Sequence, residues 1–285
     1  EKIKKIQEII DSKPVFIGTT NSWLSGNFDS LLIDSRCDVG IIDEASQVLL
    51  PNLIGVLRLV KKFILVGDHK QLPPVVQSKD AEDLKRTLFE ELFERDYKQN
   101  NIKVLLDVQY RMPSVISNFI SNEFYNGQLT TSPSAERRFL EMDIEENHPI
   151  FNIINPEMPL TLVNVKSKMK SIIPRTSSEE AEVVLEILTA LFELKVSPDD
   201  VGVIAPFRAQ VAEIRRKIES NLFSHFEDQN EIRKIVDTVD RFQGDERDVI
   251  IFSLTLQDKE IPSILKDVRR LNVAISRARR KFIGI

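Results

Sequence analysis

The sequence predicts an α/β protein with mainly parallel sheets, arranged as two domains. Short apolar strands alternate with helical patterns in both halves, and several of these strands end on polar residues. A chain of 285 residues is also long enough to bury two sizeable cores. We expect a first domain over residues 1–130, a connection over 131–159 and a second domain over 160–285.

The first half is predicted to begin with an amphipathic helix rather than a signal peptide. Residues 39–42 are apolar and β-branched, as expected of a strand buried on both faces of a parallel sheet. In chain order, this half is predicted to contain a helix to about residue 12, strands at 14–18 and 39–42, helical spacing over 45–59, a strand at 63–66, a helix over 83–95, a strand at 103–106 and a helix after residue 113.

Periodicity fails from about residue 127 to 159, where prolines and acids accumulate, so we interpret this stretch as the connection between domains. The alternation then resumes. The second half is predicted to contain strands at 160–165, 201–205, 234–237, 249–254 and 281–285, with helices over 178–194, 207–218 and 268–278.

Composition narrows the class of protein. The chain is 42% hydrophobic and 29% charged, and its longest apolar runs are strand-sized, so a globular protein without a membrane span is expected. A net charge of −5 argues against nucleic acid covering the whole surface. The single cysteine, Cys37, fits a reducing, intracellular compartment. Residues 267–281 form a basic cluster, for which an ion-paired face and an anion-binding face both stay open.

Two acids follow the strand at 39–42, at the end of the strand where open α/β sheets bind their ligands. There Asp43 suits Mg²⁺ and Glu44 suits activation of a water molecule, although an Asp-Glu pair also occurs by chance. The strand at 63–66 runs into G-D-H-K-Q-L-P-P, so two parallel strands are expected to end side by side. Within that loop, Gln71 is expected to hydrogen-bond the attacking water or a terminal phosphate; the alternative is an amide that caps a helix.

Six sequence blocks occur in a fixed order along the chain. They are D-E-A-S-Q at 43–47, G-D-H-K-Q-L-P-P at 67–74, Q-Y-R-M at 109–112, V-G-V-I-A-P-F-R-A-Q at 201–210, V-D-T-V-D-R-F-Q-G-D-E-R-D at 236–248 and R-R-L-N-V-A-I-S-R-A-R at 269–279. Together they resemble the motor region of superfamily 1 helicases, in the branch that contains the nonsense-mediated-decay RNA helicase and the Dna-type nuclease-helicases. The resemblance covers nearly the whole chain and implies two RecA-like P-loop NTPase domains.

The resemblance also implies roles in ATP hydrolysis. It places Mg²⁺ on Asp43, water activation on Glu44 and phosphate sensing on Gln71. Stacking of Tyr110 on adenine is implied, although an aromatic residue is more often part of a core or interface. Two arginine fingers, Arg111 and Arg277, are implied to reach the terminal phosphates, with Arg279 as the alternative to Arg277. Glu246 is implied to contact the ribose or to help hold Arg277, and Gln243 is implied to link the nucleotide to the nucleic-acid track.

Single-stranded DNA or RNA is the partner that the resemblance implies, with travel from 5′ to 3′. The strand would be gripped through phosphate and sugar rather than through its bases. The contact residues expected from this resemblance are Thr19, Thr20, Pro206, Arg208 and Thr238. The motifs leave the choice between DNA and RNA open.

One departure from the family pattern concerns the phosphate-binding loop, G-x-x-x-x-G-K-[ST]. No Gly-Lys pair occurs anywhere in the chain. We therefore expect that the chain is the later part of a longer motor, that an upstream part supplies this loop, and that the 285 residues alone are inactive. The alternative is a helicase-like binding module for nucleic acid or protein that has lost ATP turnover.

Overall fold

The computed structural model describes residues 37–76, 83–95, 102–166, 174–255 and 266–285. The chain divides into two compact units, Glu1–Val104 and Leu105–Ile285. The predicted helix and strand before residue 19, together with Thr19 and Thr20, lie outside the described residues. The Q-Y-R-M block falls in the second unit, and the domain bounds at 130 and 160 stay a prediction.

In the first unit, the described residues form two parallel strands, each followed by helical structure. Its elements are β1 Cys37–Ile42, a 3₁₀ turn at Ala45–Gln47, α1 Leu50–Leu57, β2 Val60–Leu65 and α2 Leu88–Glu94. Because Ile42 pairs with Leu65, the two strands end side by side, which confirms that prediction. A proline in the first turn opens α1, and a capping box of Thr87 and Glu90 opens α2.

The prediction that β1 is buried on both faces is wrong for the described part of the chain. Ile42 is buried with Ala45 and Leu53 in a small core. In contrast, Val39 and Ile41 are 50% and 70% exposed. Alternate residues of a strand point to opposite faces, so one face of β1 packs under α1 and the described residues leave the other uncovered.

The predicted strand at 103–106 is also wrong, because residues 102–107 have no regular structure and are exposed. A two-residue strand follows instead, β3 Val108–Gln109, which pairs in parallel with β4 Thr130–Thr131. An apolar run identifies a strand only where a neighbouring strand completes its hydrogen bonds, and that neighbour is not visible in the run itself.

In the second unit, the described residues form a main sheet of five strands. After β3 and β4, its strands are β5 Leu160–Leu162, β6 Val201–Ala205, β7 Val236–Thr238, β8 Arg247–Phe252 and β9 Ala278–Gly284. Its helices are α3 Ser114–Phe124, α4 Phe151–Ile154, α5 Ser178–Glu193, α6 Arg208–Asn221, α7 Gln229–Ile235 and α8 Arg269–Ser276, with 3₁₀ turns at Pro198–Asp200 and Phe223–His225. The sheet order is β5-β9-β8-β6-β7, and all neighbours are parallel.

The core of the second unit lies between this sheet and α5, α6 and α7. All five residues of β6 are buried, as its continuous apolar sequence predicts for a central strand. The α/β class with mainly parallel sheets is therefore confirmed. Two helices of the second unit were not predicted: the short α4, in the stretch interpreted as a connection, and α7. Helix α7 precedes β7 directly and is capped by Asp228, whose carboxylate accepts from the N–H groups of Asn230 and Glu231. Across the described residues, no helix is both long and apolar enough to cross a membrane.

Candidate active site

The two acids that follow β1 are held by their own neighbours. Glu44 has a left-handed backbone (φ 50°), and its N–H donates to Oδ1 of Asp43 at 2.9 Å. Its carboxylate oxygen Oε2 accepts from Nε2 of Gln47 at 2.5 Å. Non-glycine residues with positive φ are uncommon and cluster at functional sites, so the D-E-A-S-Q block carries a geometric signature of a site.

Backbone contacts join the end of β1 to the end of β2. The N–H of Ala45 donates to the carbonyl of Val66 at 2.8 Å. Gly67 approaches the turn so closely that an added Cβ would lie 2.9 Å from the backbone nitrogen of Ser46. The hydroxyl of Ser46 in turn accepts from the N–H of Asp68 at 3.2 Å. Glycine and a small hydroxyl residue therefore bring the two polar loops together at one rim.

The Gln71 side chain lies in a turn that is organised by Asp68. Nε2 of Gln71 donates to Oδ2 of Asp68 at 3.0 Å, and the N–H of Lys70 donates to Oδ1 at 2.9 Å. Of the two sequence interpretations, helix capping finds no support in these bonds, which fix the amide inside its own loop. Its role as a phosphate sensor stays a prediction.

Asp43 fits the requirements of a Mg²⁺ ligand. Its carboxylate is exposed, and Oδ2 receives no hydrogen bond from any described residue. Mg²⁺ prefers oxygen ligands and is commonly held by one or two carboxylates together with substrate phosphates and water. The described residues contain no group of three or more His, Cys, Asp or Glu side chains that could hold a metal by themselves. A metal at Asp43 would thus need the phosphates.

In the second unit, the side chain of Gln109 folds the Q-Y-R-M block into a turn. Its Oε1 accepts from the N–H groups of Arg111 and Met112, both at 2.8 Å. Its Nε2 donates to the carbonyl of Met112 and to Oγ1 of Thr131. The turn leaves Tyr110 65% exposed, as a residue available to stack on a planar ligand. Sequence reasoning gave Gln109 no role of its own.

The two predicted arginine fingers converge on one residue of α8. Nη1 of Arg111 donates to the carbonyl of Ser276 at 3.1 Å, and Nη2 of Arg277 donates to its hydroxyl at 3.1 Å. Helix α3 is tied to α8 by a further bond, from Nδ2 of Asn272 to the hydroxyl of Tyr125 at 3.0 Å. Sequence positions far apart in the chain are thereby brought together within the second unit.

These arginines differ in how they present their charge. Arg111 is about one-third exposed and its Nε lies 2.5 Å from Oε2 of Glu246. Arg277 is only 4% exposed, and its other donors reach the carbonyls of Val273 and Asp245. The alternative finger, Arg279, lies at ion-pair distance from carboxylates of its own unit, those of Asp248, Asp200 and Glu246. Among these three arginines, only Arg111 is partly exposed and has a single carboxylate partner in the described residues. The roles of all three stay predictions.

The loop after β7 has two features that fit a ligand. Gly244 has φ +89°, and an added Cβ there would meet no atom within 4 Å, so the turn borders open space. Nε2 of Gln243 is buried and has no hydrogen-bond partner in the described part of the chain. A buried amide donor without an acceptor is rare, and a bound nucleotide or nucleic acid could supply that acceptor. Glu246, in the same loop, already binds Arg111.

The residues expected to contact nucleic acid fall at the carboxyl ends of β6 and β7. These ends are adjacent, because Ala205 pairs with Thr238. Arg208 is exposed, Thr238 is half-buried and Pro206 is buried. The roles of all three stay predictions.

The basic cluster at 267–281 is largely ion-paired. Arg269 and Arg270 pair with Asp267, and Arg279 and Arg280 both pair with Asp248, at 2.8 and 3.0 Å. The sequence left two interpretations of this cluster open, an ion-paired face and an anion-binding face. Most of its arginines form ion pairs, as the first interpretation expects.

Comparison with known proteins is consistent with this geometry. A family model described as an AAA domain matches residues 84–285, and a second with the same description matches residues 1–79. The Uncharacterized ATP-dependent helicase MJ0104 of Methanocaldococcus jannaschii is 38% identical, over 99% of this chain and 40% of that protein. The DNA replication ATP-dependent helicase/nuclease DNA2 of Xenopus laevis is 32% identical, over 99% of this chain and 27% of that protein.

A third relative is the Regulator of nonsense transcripts 1 homolog of Neurospora crassa, which is 36% identical over 84% of this chain and 21% of that protein. The chain thus spans less than half the length of each of these curated relatives.

Proposed function

This chain belongs to the AAA domain family, as a motor region of the superfamily 1 helicases, and from that we propose that the complete protein is an ATP-dependent motor on single-stranded nucleic acid. The observation that carries the proposal is the joined rim of the first unit. There the strained Asp43-Glu44 turn and the Gly67–Gln71 loop are linked through Ser46.

The acids of this rim suit hydrolysis of a phosphoanhydride. Asp43 has an oxygen that can accept Mg²⁺, which neutralises phosphate charge and orients the reacting group. Glu44 is the proposed base that takes a proton from the attacking water, with Gln47 fixing one of its carboxylate oxygens. Gln71 is the proposed sensor of the terminal phosphate, held in place by Asp68.

The second unit supplies cations and a stacking surface. Arg111 is the proposed finger that stabilises charge on the transferred phosphoryl group, because its guanidinium is partly exposed. Tyr110 is the proposed adenine contact. We propose Arg277 as the second finger, and its burial means that it acts only after its bonds to Val273, Asp245 and Ser276 are rearranged. Gln243 is the proposed link between the nucleotide and the nucleic-acid track, and Glu246, which binds Arg111, is the proposed ribose contact.

We propose that the strand is gripped through its phosphates at the carboxyl rim of the second sheet, by residues that include Arg208 and Thr238, and that travel is from 5′ to 3′. One relative at 32% identity is named for DNA replication and another at 36% for nonsense transcripts, so both DNA and RNA are candidate tracks. Because the chain contains no Gly-Lys pair, we also propose that residues 1–285 alone bind ATP weakly.

The test is ATPase activity of the complete protein with and without single-stranded DNA or RNA of equal length. We expect a strand to stimulate hydrolysis and Glu44→Gln to abolish it, while Glu182→Gln, on the exposed side of α5, leaves it unchanged. Displacement of duplexes with a 5′ or a 3′ single-stranded tail tests direction. Equal ATPase rates with and without a strand would count against a translocase, and binding without hydrolysis would favour the binding-module alternative.

A further inference from the structure

Arg175 has an unusual backbone and a guanidinium that lies against an aromatic ring on the surface of the second unit. Its φ is +62°, in the left-handed region that residues other than glycine seldom occupy. Its Cζ lies 5.4 Å from the ring centroid of Phe207, at cation–π distance, while the residue as a whole is exposed. A long cationic side chain thus lies against an aromatic face.

A buried polar network fixes the segment that carries this arginine. The backbone of Ser177 exchanges two hydrogen bonds with the side-chain amide of Gln210, at 2.7 and 3.0 Å. Gln210 also donates to the hydroxyl of Ser253 at 3.0 Å. That hydroxyl donates to Glu180 at 2.7 Å, and the same carboxylate oxygen accepts from the N–H of Thr255 at 2.9 Å. A buried hydrogen-bond network of this kind favours one geometry, and here it anchors the chain at Ser177, two residues after Arg175.

The network also fixes where Arg175 stands in the fold. Ser253 follows directly after β8, and Phe207 and Arg208 follow β6, while Ile204 of β6 pairs with Phe252 of β8. The carboxyl ends of these parallel strands form one rim. Arg175 therefore stands at the same rim as Arg208, on the side of the Phe207 ring.

Arg175 and Arg208 differ from other arginines of the unit in lacking an acidic partner among the described residues. Among the described residues, neither Arg175 nor Arg208 has a carboxylate at ion-pair distance. In contrast, Arg215 and Arg216 of α6, the helix that Arg208 opens, pair with Asp237 and Glu213. A planar guanidinium that is exposed, and that has no carboxylate partner among the described residues, is well suited to a bidentate contact with phosphate.

We propose that Arg175, which none of the six sequence blocks contains, contacts a backbone phosphate of the nucleic-acid strand at this rim. The inference rests on the proposed function, and it adds Arg175 to the residues, such as Arg208, that are proposed to bind the strand. The Phe207 ring packs against the guanidinium. The Ser177–Gln210–Ser253–Glu180 network anchors the backbone two residues after Arg175. A contact of this type is independent of base sequence and of the sugar.

The experiment measures binding of the complete protein to labelled dT and rU oligonucleotides of equal length, over a series of KCl concentrations. Loss of one phosphate contact to a single strand should reduce the slope of log K against log salt by about 0.7. We expect Arg175→Gln to show that reduction and to weaken binding about fivefold at low salt, equally for DNA and RNA. Arg216→Gln is the matched control, an exposed arginine of α6 that should bind as the wild type does.

Arg175→Lys keeps the positive charge and replaces Arg175→Gln in the experiment if the glutamine variant folds poorly. We expect the lysine variant to have the wild-type slope of log K against log salt. Its affinity should fall about twofold, since lysine cannot form the planar contact. A slope and affinity of Arg175→Gln equal to the wild type would overturn the inference, as would a loss confined to DNA or to RNA. Wild-type protein that binds neither oligonucleotide would instead refute the proposed function itself.

Discussion

Nε of Arg111 lies 2.5 Å from Oε2 of Glu246, although 135 residues separate the two along the chain. The pair joins the Q-Y-R-M turn to the loop after β7, and both side chains are between one-third and one-half exposed. Because both side chains are partly exposed, solvent and salt screen their attraction. We therefore expect the ion pair to hold the two loops together while contributing only modestly to the free energy of unfolding.

A double-mutant cycle should detect this pair. We expect Arg111→Met and Glu246→Gln to show a coupling free energy of about 0.5–1 kcal/mol at low salt, falling as salt is raised. The measurement is urea unfolding of the wild type, both single variants and the double variant. A coupling no larger than the experimental error at low salt would mean that the two loops are held together by other contacts.

Gln109→Ala should destabilise the second unit by about 2 kcal/mol, because one half-buried amide makes four hydrogen bonds and the variant leaves their partners unsatisfied. Chemical denaturation gives the free energy of unfolding. Gln128→Ala is the matched control, since Gln128 is exposed, and it should change stability by less than about 0.5 kcal/mol.

In the complete protein, the Gln109 variant should also raise KM for ATP, since Tyr110 and Arg111 depend on the same turn. Unchanged stability together with unchanged KM would show that the backbone keeps the turn without the amide.

Gly67→Ala should disturb the rim of the first unit, because the new Cβ would lie 2.9 Å from backbone nitrogen, which cannot rotate away. Overpacking of this kind costs about 1–3 kcal/mol. We expect ATPase activity of the complete protein to fall more steeply than its stability, since the shift separates the loops that carry Glu44 and Gln71. Wild-type activity in a folded Gly67→Ala variant would mean that the two loops work independently of this contact.

Lys281 gives the second unit a distinctive dependence on pH. The side chain is fully buried in β9, where Nζ donates to the carbonyls of Asn155 and Met158 and to the hydroxyl of Thr161. Burial lowers its pKa from 10.5 to about 8. Between those values the unfolded chain binds more protons than the folded one, so the free energy of unfolding should rise with pH across that window.

The expected contribution of Lys281 is about 1–3 kcal/mol between pH 8 and pH 10. Lys281→Met should remove that rise, while Lys234→Met, at an exposed lysine of α7, should keep it. Denaturation of the three proteins at both pH values provides the comparison. A rise of equal size in Lys281→Met and the wild type would show that other groups cause it.

The parts of this fold that depend on local pattern could be predicted from sequence. Val201–Ala205 forms β6 as its apolar run predicts, and β1 and β2 end side by side as their shared pattern of apolar residues followed by polar ones predicts. The site residues that could not be foreseen depend on partners far away in the chain. The burial of Arg277, for example, requires the carbonyl of Asp245, and a motif cannot indicate such a contact.

The same limit applies to the strands that were predicted wrongly. Residues 103–106 have the composition of a strand, yet strand formation also requires a neighbour with its hydrogen bonds available. Similarly, the β-branched residues of β1 indicate a strand correctly but not whether both of its faces are covered.

The order of strands in the second sheet has a consequence for how the unit is made. β9 lies between β5 and β8, and Thr161 of β5 pairs with Ile283 of β9. Among the described strands, β5 therefore pairs only after β9 has been synthesised. During synthesis on the ribosome, β6, β7 and β8 can assemble first, whereas β5 leaves the exit tunnel early and gains its neighbour among the described strands only once β9 has been made. Closing so long a loop is slow, which makes this step the expected bottleneck in folding and the period of greatest exposure to chaperones.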